Sequence, residues 1–323
     1  MTYQQLMGLA NGYAESKTLL VANDLGLFTA IGPDGRRAEE LATSCGTTRE
    51  GMTLLLKSLA GLGLLRPKAG RYWNTALGRT FLDGHSPRSI TNLLWLVHHH
   101  WTDWTGMTAA LRHGPRGWAP VTRTAAFRRR FALAMQERSR MLIVPTLDSF
   151  RLPRQATRFL DLGGGPGSYA IALARRHPTL HGLLVDQSVT VARRLVRENG
   201  LSDRLQIEEG DLLTMPLPSG FDAVLLSNVL HDFHGKDIRR LLRRTRQALR
   251  PGGKVFIVEY FLSADCTRPA EAAVFSLLMY AFTGAGRCYS WDEIETWLTE
   301  AGFDRCRRHR VTGSIGTLEA TRR

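Results

Sequence analysis

A glycine-rich loop in the second half of the chain has residue types and spacing suited to holding a small molecule. In the segment FLDLGGGPGS, Asp161 is followed by Gly163, Gly165 and Gly167, and a helix is predicted to begin near Ser168. Glycines between a strand and a helix let the backbone turn sharply and let a ligand approach it closely. Nicotinamide enzymes use a similar loop, but the third glycine of their G-x-G-x-x-G pattern would fall at Ser168. The loop therefore predicts a ligand site that fits the dinucleotide pattern poorly.

The carboxylate of Asp161 indicates which ligand the loop would hold. It stands two residues before the first glycine, where its charge would oppose a pyrophosphate. The same charge would suit the ammonium group of a bound amino acid. S-adenosylmethionine carries that ammonium and a dinucleotide does not, so the sequence predicts S-adenosylmethionine as the cofactor.

Two further acidic residues follow in the order that such a cofactor requires. The predicted strand HGLLVD ends in Asp186, which can accept hydrogen bonds from both ribose hydroxyls. The next strand, LQIEEGD, ends in Asp211, which can accept a bond from the adenine amino group while Leu212 packs on the ring. A single aspartate at a strand end is commonly only a turn residue. The loop and both acids in this order favour a complete cofactor site.

His231 is the side chain best placed to move a proton. It follows the predicted strand AVLLS, at the carboxyl end of the sheet, where open α/β sheets bind their ligands. Methyl transfer to oxygen requires alignment of the two reactants and removal of a proton. A phenol has a pKa of about 10, and histidine can accept its proton near neutrality. We therefore predict that His231 is a general base.

The elements that position these residues form a repeating pattern after residue 150. Short apolar runs alternate with helical segments, which predicts an α/β domain with a parallel sheet over residues 151–323. Pro251-Gly252-Gly253 is expected to end a helix before the strand KVFIVEY. A late helix is predicted at Trp291–Ala301 and a final strand near Thr317–Ala320.

Residues 1–150 are predicted to be mostly helical. Helices are expected at Leu19–Ile31, at Ala38–Cys45 and from Arg49 to about Leu62, followed by a hairpin of Leu64–Lys68 and Arg71–Asn74. This is the order of a winged helix, which invites a DNA-binding interpretation. The third helix, REGMTLLLKSLAGLGLL, offers mainly leucines where base readout needs Arg, Asn, Gln or Ser. We expect it to pack in a core or against a second subunit.

The charge of the chain is strongly positive, with 43 Lys and Arg against 29 Asp and Glu, a formal net charge of +14. The basic residues are scattered and are mostly arginine, so solvated surfaces explain them, although non-specific affinity for polyanions would follow. The four cysteines form no CxxC pair, which argues against a disulfide framework or a zinc site. No secretory signal or membrane-spanning run is visible, and we expect a cytoplasmic protein without membrane or specific nucleic-acid partners.

Taken together, these motifs make the chain similar to a known family. It resembles the plant-type small-molecule O-methyltransferases and their bacterial relatives, a group that includes caffeate, acetylserotonin and antibiotic O-methyltransferases. The matching motifs are FLDLGGGPG, LLVDQ, GDLL, LLSNVLHDF, LRPGGKVFIVE and MYAFTGAGRCYSWDEIETWLTEAGF. The resemblance implies a Rossmann-like methyltransferase domain behind an N-terminal winged-helix dimerisation domain over residues 1–150. It also implies a homodimer, S-adenosylmethionine, no metal and a small aromatic or polyketide-like substrate.

The resemblance also implies roles for residues around the predicted base. His231 corresponds to the catalytic histidine of the family and Glu259 to a carboxylate that orients it. Cys288 stands where a second orienting carboxylate is expected, and Ser227 stands where plant relatives carry a lysine that contacts the cofactor. These two departures leave the orientation of His231 and part of the cofactor contact open.

Several residues are expected beside the substrate because of their motif positions. They are Met135, Met279, Phe282 and Thr283, with Trp101 and Trp104 as further candidates. His98–His100 form a triplet, but successive helix residues point about 100° apart and do not share a metal site easily.

Two alternatives to O-methylation remain. The chain could methylate carbon or nitrogen or have lost methylation, an interpretation that Cys288 keeps open. It could also be a winged-helix regulator that senses the cofactor without turnover, an interpretation that the apolar third helix opposes.

Overall fold

A computed structural model describes residues 1–115 and 124–323, and the chain divides into two compact units, Met1–Trp101 and Thr102–Arg323. The predicted division near residue 150 marks the start of the strand–helix alternation and not this change in contacts. The helices Ala125–Ser139 and Ile143–Ser149 belong to the second unit because they pack against the helices and a strand of its α/β part.

The first unit is helical apart from one hairpin. Its elements are α1 (Tyr3–Asp24), α2 (Leu27–Ile31), α3 (Ala38–Cys45), α4 (Arg49–Gly61), β1 (Leu65–Lys68), β2 (Arg71–Asn74), a π-helical turn (Gly78–Leu82) and most of α5 (Thr91–Thr105). The helix predicted at Leu19–Ile31 is interrupted, because Gly26 adopts a left-handed conformation with φ of 64°.

The order of helices and hairpin follows the prediction. Thr48 caps α4 by accepting a hydrogen bond from the Gly51 amide. Met52, Leu56 and Leu59 of α4 are buried in the core of the unit. Helix α4, the third of the predicted helices, therefore packs its apolar side chains in the core, as expected.

The second unit contains a single large sheet. Its elements are α6 (Met107–His113), α7 (Ala125–Ser139), α8 (Ile143–Ser149), β3 (Arg158–Leu162), α9 (Ser168–Arg176), β4 (His181–Asp186), α10 (Thr190–Glu198), β5 (Leu205–Glu209), β6 (Phe221–Ser227), a 3-10 turn (Leu230–Asp232), α11 (Gly235–Ala248), β7 (Leu249–Leu262), α12 (Ala270–Thr283), β8 (Tyr289–Ser290), α13 (Trp291–Glu300), β9 (Phe303–Arg310) and β10 (Ile315–Arg322).

The strand order of the sheet is β5-β4-β3-β6-β7-β10-β9, and β8 pairs with β7. Strands β3 to β7 are parallel to one another, whereas β10 runs antiparallel to both β7 and β9. The order reverses between β3 and β6, so their carboxyl ends open onto the crevice where such sheets bind ligands.

Both faces of the central strands are buried. In β3, Phe159 packs in the apolar layer on one face, and Leu160 and Leu162 pack on the other. Parallel strands covered by helices on both sides read as nearly continuous apolar runs, which explains FLDL and AVLLS. Asp161 interrupts the first of these runs.

One sequence expectation in this unit is corrected. Helix α11 already ends at Ala248, and Pro251-Gly252-Gly253 lie inside the long strand β7, where its pairing with β6 is irregular. Strand β9, which the sequence patterns did not predict, pairs with β10. Its arginines form ion pairs; Arg308, for example, contacts Asp292 and Glu295 of α13. The described residues include no helix long and apolar enough to cross a membrane.

Candidate functional site

The glycine loop joins β3 to α9 and is shaped by its backbone. Gly163, Gly165 and Gly167 have φ of 72°, 52° and 78°, values that side-chain-bearing residues rarely adopt. A Cβ on Gly163 would overlap the side chain of Val229, whereas a Cβ on Gly165 would meet nothing within 4 Å. The loop is therefore tightly packed on one side and open on the other.

Asp161 is a buried carboxylate, 1% exposed, near the Ala170 amide. Among the described residues, neither of its oxygens has a partner at ordinary hydrogen-bond geometry. Burial, together with the charge of Asp186, raises the pKa of Asp161 to about 7. Burial of a carboxylate without a partner costs folding free energy, and a ligand group that pairs with it would offset that cost.

Asp222, on β6, shows what a purely structural aspartate looks like in the same sheet. It is 2% exposed, but its oxygens accept hydrogen bonds from the Thr157 and Arg158 amides at 2.6 and 2.8 Å and pair with Arg250 at 2.6 Å. The contrast separates Asp161 from an aspartate whose hydrogen bonds and ion pair are all made within the chain.

Asp186 ends β4 and faces the same loop. Its two oxygens accept hydrogen bonds from the amides of Gly165 and Ser188, each at 2.9 Å. Burial raises its pKa although these bonds oppose the rise. Each carboxylate oxygen can accept a second bond, so Asp186 retains capacity for hydroxyl donors.

Asp211 and Leu212 follow β5, which already ends at Glu209. The Asp211 side chain is exposed and accepts a hydrogen bond from the Leu213 amide at 2.8 Å. Leu212 is buried, and a Cβ on Gly163 would contact its side chain at 3.3 Å. The structure thus brings Leu212 to the loop and leaves Asp211 on the surface of the same region.

Ser227 ends β6, beside residues that the sequence did not single out. Its hydroxyl accepts a hydrogen bond from the side-chain amide of Asn228 at 3.1 Å. Asn228 has φ of 55°, and its side-chain oxygen is buried without a partner. Burial raises the pKa of the Tyr169 hydroxyl, which lies close enough to Ser227 and Thr146 for both to oppose the rise. A positive φ at a non-glycine residue is visible only in three dimensions.

His231 and Glu259 form a buried pair. Nδ1 of His231, in the 3-10 turn, is 2.6 Å from Oε2 of Glu259, in β7, and the two residues are 7% and 4% exposed. The other Glu259 oxygen accepts a hydrogen bond from the Leu230 amide at 2.8 Å. Since Glu259 holds both the ring and the adjacent backbone, it orients the histidine and leaves Nε2 for a reactant.

The electrostatics of this pair suit proton transfer. Burial disfavours the charged imidazolium, but the carboxylates of Glu259 and Asp232 outweigh it and raise the pKa of His231. Asp232 Oδ1 is 3.9 Å from His231 Nε2. Its own pKa is raised to about 6, chiefly by burial, against the attraction of His231. The imidazole is therefore more basic than an ordinary histidine.

Cys288 lines a small cavity with His231 and Glu259, at the position where the family pattern carries a second carboxylate. Burial, together with the charge of Glu259, raises the pKa of its thiol, so it stays neutral and cannot orient His231 as an anion. Gly286, two residues earlier, packs directly on the backbone, because a Cβ there would overlap the His231 carbonyl. The segment therefore positions His231 by close packing instead of charge.

The residues expected beside the substrate have mixed surroundings. Met279 and Phe282 are buried on α12, and Met135 is half-buried on α7. The Thr283 hydroxyl donates to the Met279 carbonyl and accepts from the Gly286 amide at 2.7 Å, so its hydrogen bonds close the end of α12. Their substrate roles stay predictions.

The tryptophans and histidines of α5 have partners of their own. Lys17 lies over the Trp101 ring at 4.4 Å, and Trp104 is 39% exposed. His98 contacts Lys17 at 2.7 Å and Asp24 at 3.5 Å. In the part of the chain that the structure describes, no group of three potential ligands gathers to hold a metal ion.

The fold and loop together define a Rossmann-like methyltransferase. Residues 97–304 match the O-methyltransferase domain, and residues 7–84 match the O-methyltransferase dimerisation domain. Because these matches span most of the sequence, the chain belongs to the O-methyltransferase family. The predicted resemblance and fold class are confirmed.

Related proteins agree with this assignment over nearly their full lengths. The 3-hydroxy-5-methyl-1-naphthoate 3-O-methyltransferase of Streptomyces sahachiroi is 32% identical, covering 94% of this chain and 90% of that protein. The N,N-dimethyltransferase OxyT of Streptomyces rimosus is 31% identical, covering 97% and 94%. The crystal structure of human N-acetylserotonin methyltransferase in complex with SAM has a TM-score of 0.90 and 25% identity, covering 99% of this chain and 97% of that one. The chain is thus an S-adenosylmethionine-dependent methyltransferase, as predicted.

Proposed function

We propose that this enzyme methylates a hydroxyl group on a small aromatic or polyketide-like molecule, with His231 as the general base. The observation that carries the proposal is the buried His231–Glu259 pair, whose raised histidine pKa suits removal of a hydroxyl proton.

The cofactor frame consists of residues around the glycine loop. Asp161 would pair with the ammonium group, because its carboxylate is buried and unpartnered. Asp186 would accept the ribose hydroxyls, and Asp211 and Leu212 would hold the adenine. Ser227 would contact the adenosine side. S-adenosylmethionine supplies the electrophilic methyl group when bound.

The proton step uses the chain's own groups. Nε2 of neutral His231 takes the hydroxyl proton, which leaves an oxygen nucleophile, while Glu259 holds Nδ1 and stabilises the imidazolium that results. Asp232 adds a second negative charge at 3.9 Å from Nε2. This charge takes the place of the carboxylate that Cys288 lacks.

The relatives support two kinds of acceptor. The Streptomyces sahachiroi protein is named for methylation of a naphthoate hydroxyl, whereas OxyT is named as an N,N-dimethyltransferase. Nitrogen is therefore the second candidate acceptor. A neutral amine needs no base before attack, so the buried base favours oxygen.

Incubation with methyl-labelled S-adenosylmethionine tests the acceptor atom. We expect label on oxygen when naphthols and phenols are offered, and at least tenfold less transfer to the corresponding arylamines. Mass spectrometry of the products locates the label. Equal or faster transfer to the amines would overturn the hydroxyl assignment.

The winged-helix-like first unit carries a surface suited to pairing with a second copy. The first half of α1 is exposed, and four large apolar side chains on it are more than half exposed: Tyr3, Leu6, Leu9 and Tyr13. Exposed apolar patches of this kind mark interaction sites. Since residues 7–84 match the dimerisation domain, we propose a homodimer in which α1 is covered by the partner.

Charges placed on this helix should separate the dimer. We expect the double variant Leu6→Asp/Leu9→Asp to elute with the mass of one chain in size-exclusion chromatography with light scattering, whereas wild type elutes as two. The matched control is Gln4→Asp on the same helix, which adds charge without removing an apolar group. A double variant that remains dimeric at micromolar concentration would contradict the α1 interface.

A further inference from the structure

Arg138, near the end of α7, places a positive charge beside the proposed base, and no described carboxylate pairs with it. Its guanidinium lies 5.0 Å from the centroid of the Tyr260 ring and 5.6 Å from that of Phe275. Among the described residues its buried Nη2 atom has no hydrogen-bond partner, although the guanidinium does interact with the Tyr260 hydroxyl. Across residues 1–115 and 124–323 no carboxylate forms an ion pair with it.

The position of this cation ties it to the reaction site. The Phe275 ring that Arg138 contacts also lies edge-on to the His231 ring, with centroids 5.2 Å apart. Tyr260, the other ring, directly follows Glu259 in β7. The positive charge is close enough to oppose both the raised pKa of His231 and that of Cys288. Arg138 and His231 therefore face the same small region.

The carboxylate that holds His231 does not neutralise the arginine. Glu259 is committed to the Leu230 amide and the His231 ring. Contacts with aromatic faces and with the Tyr260 hydroxyl compensate this half-buried cation only in part. A buried guanidinium nitrogen without an acceptor costs free energy. The planar guanidinium can donate two parallel hydrogen bonds to a carboxylate, which would supply that acceptor.

We infer that the acceptor is an aromatic hydroxy acid whose carboxylate pairs with Arg138 while its hydroxyl faces His231. This inference rests on the proposed hydroxyl methylation and names its substrate class. The Tyr260 and Phe275 rings supply apolar contacts for the aromatic body between the two polar groups.

Matched acceptors test the inference. Wild-type enzyme is offered hydroxynaphthoates, their methyl esters and the naphthols that lack the carboxylate. We expect kcat/KM to favour the acid over its ester at least tenfold. In Arg138→Gln that ratio should fall by about ten- to a hundredfold, the loss expected for a charge-assisted hydrogen-bonded pair. The acid-to-ester ratio of Arg138→Lys should lie between those of wild type and Arg138→Gln, because lysine keeps the positive charge but lacks the planar guanidinium.

The control is Arg129→Gln, an exposed arginine on the same helix, which should leave the ratio unchanged. A wild type that methylates esters and naphthols as well as acids, with Arg138→Gln lowering all of them equally, would overturn the inference and leave hydroxyl methylation standing. If only amines are methylated, the proposed function fails. Calorimetry of 6-hydroxy-2-naphthoate binding to the S-adenosylhomocysteine complex then decides: weaker binding to Arg138→Gln than to wild type supports the carboxylate site, and equal binding overturns it.

Discussion

Replacement of His231 by alanine is expected to lower kcat for methyl transfer by about 10²- to 10⁴-fold, the range that general-base catalysis contributes. The imidazole is buried and is held at Nδ1 by Glu259, whereas the residues proposed to bind the cofactor lie around the glycine loop. S-adenosylhomocysteine should therefore bind to the variant within about threefold of its wild-type affinity by calorimetry. The matched control is His234→Ala, an exposed histidine three residues further on, which should keep its activity.

The pH profile gives an independent measure of the same role. His231 acts as a base only when neutral, and its pKa is raised above the ordinary value of about 6.5. Activity should therefore fall as the pH drops, with the midpoint of the acid limb above pH 6.5. Full activity of His231→Ala, or a profile with no acid limb above that pH, would contradict the assignment of the base.

Replacement of Asp161 by asparagine is expected to stabilise the cofactor-free protein and to weaken its cofactor binding. A pKa raised from about 4 in the unfolded chain to about 7 in the folded state corresponds to about 4 kcal/mol. The contribution is favourable below pH 4, where both states hold the proton, and is lost as the pH rises through 7. The variant should thus unfold like wild type at pH 4 and gain up to about 4 kcal/mol at pH 8.

Cofactor binding should weaken in the same variant, although its free energy of unfolding rises. Loss of the carboxylate removes a charge-assisted partner for the ammonium group, so the Kd for S-adenosylhomocysteine should rise by about ten- to a hundredfold. Asp222→Asn is the control, because that carboxylate already has Arg250 and two backbone amides as partners, and its loss should lower stability. An Asp161→Asn variant that binds as wild type does would exclude Asp161 from the cofactor site.

Local sequence patterns predicted many of the helices and strands in both units. Apolar runs such as FLDL and AVLLS became buried parallel strands, because a strand covered on both faces needs apolar residues at nearly every position. The hairpin and the helix at Ala38–Cys45 also followed from turn residues and spacing. Strand β9 did not, because its arginines obscure the alternation of an edge strand.

The sequence predicted those site residues whose side-chain chemistry and position at the end of a strand indicate their role. The structure joins His231 to Glu259 and places Asp161, Asp186 and Leu212 around the loop. Arg138, Asn228 and Gly286 were missed. An arginine on an amphipathic helix is usually solvated. The left-handed conformation of Asn228 and the packing of Gly286 against a carbonyl group cannot be detected from a single sequence.

The sequence alone determined the family, the cofactor and the identity of the proposed base, because each depends on residue types at short, fixed spacings. Tertiary structure alone decided which acids lack partners among the described residues, how closely Glu259 holds the histidine and where the half-buried guanidinium of Arg138 lies, because these properties depend on contacts between residues far apart in the chain. Asp161 and Asp222 are both buried strand aspartates. Only their surroundings differ: Asp222 pairs with Arg250, whereas the oxygens of Asp161 have no hydrogen-bond partner among the described residues.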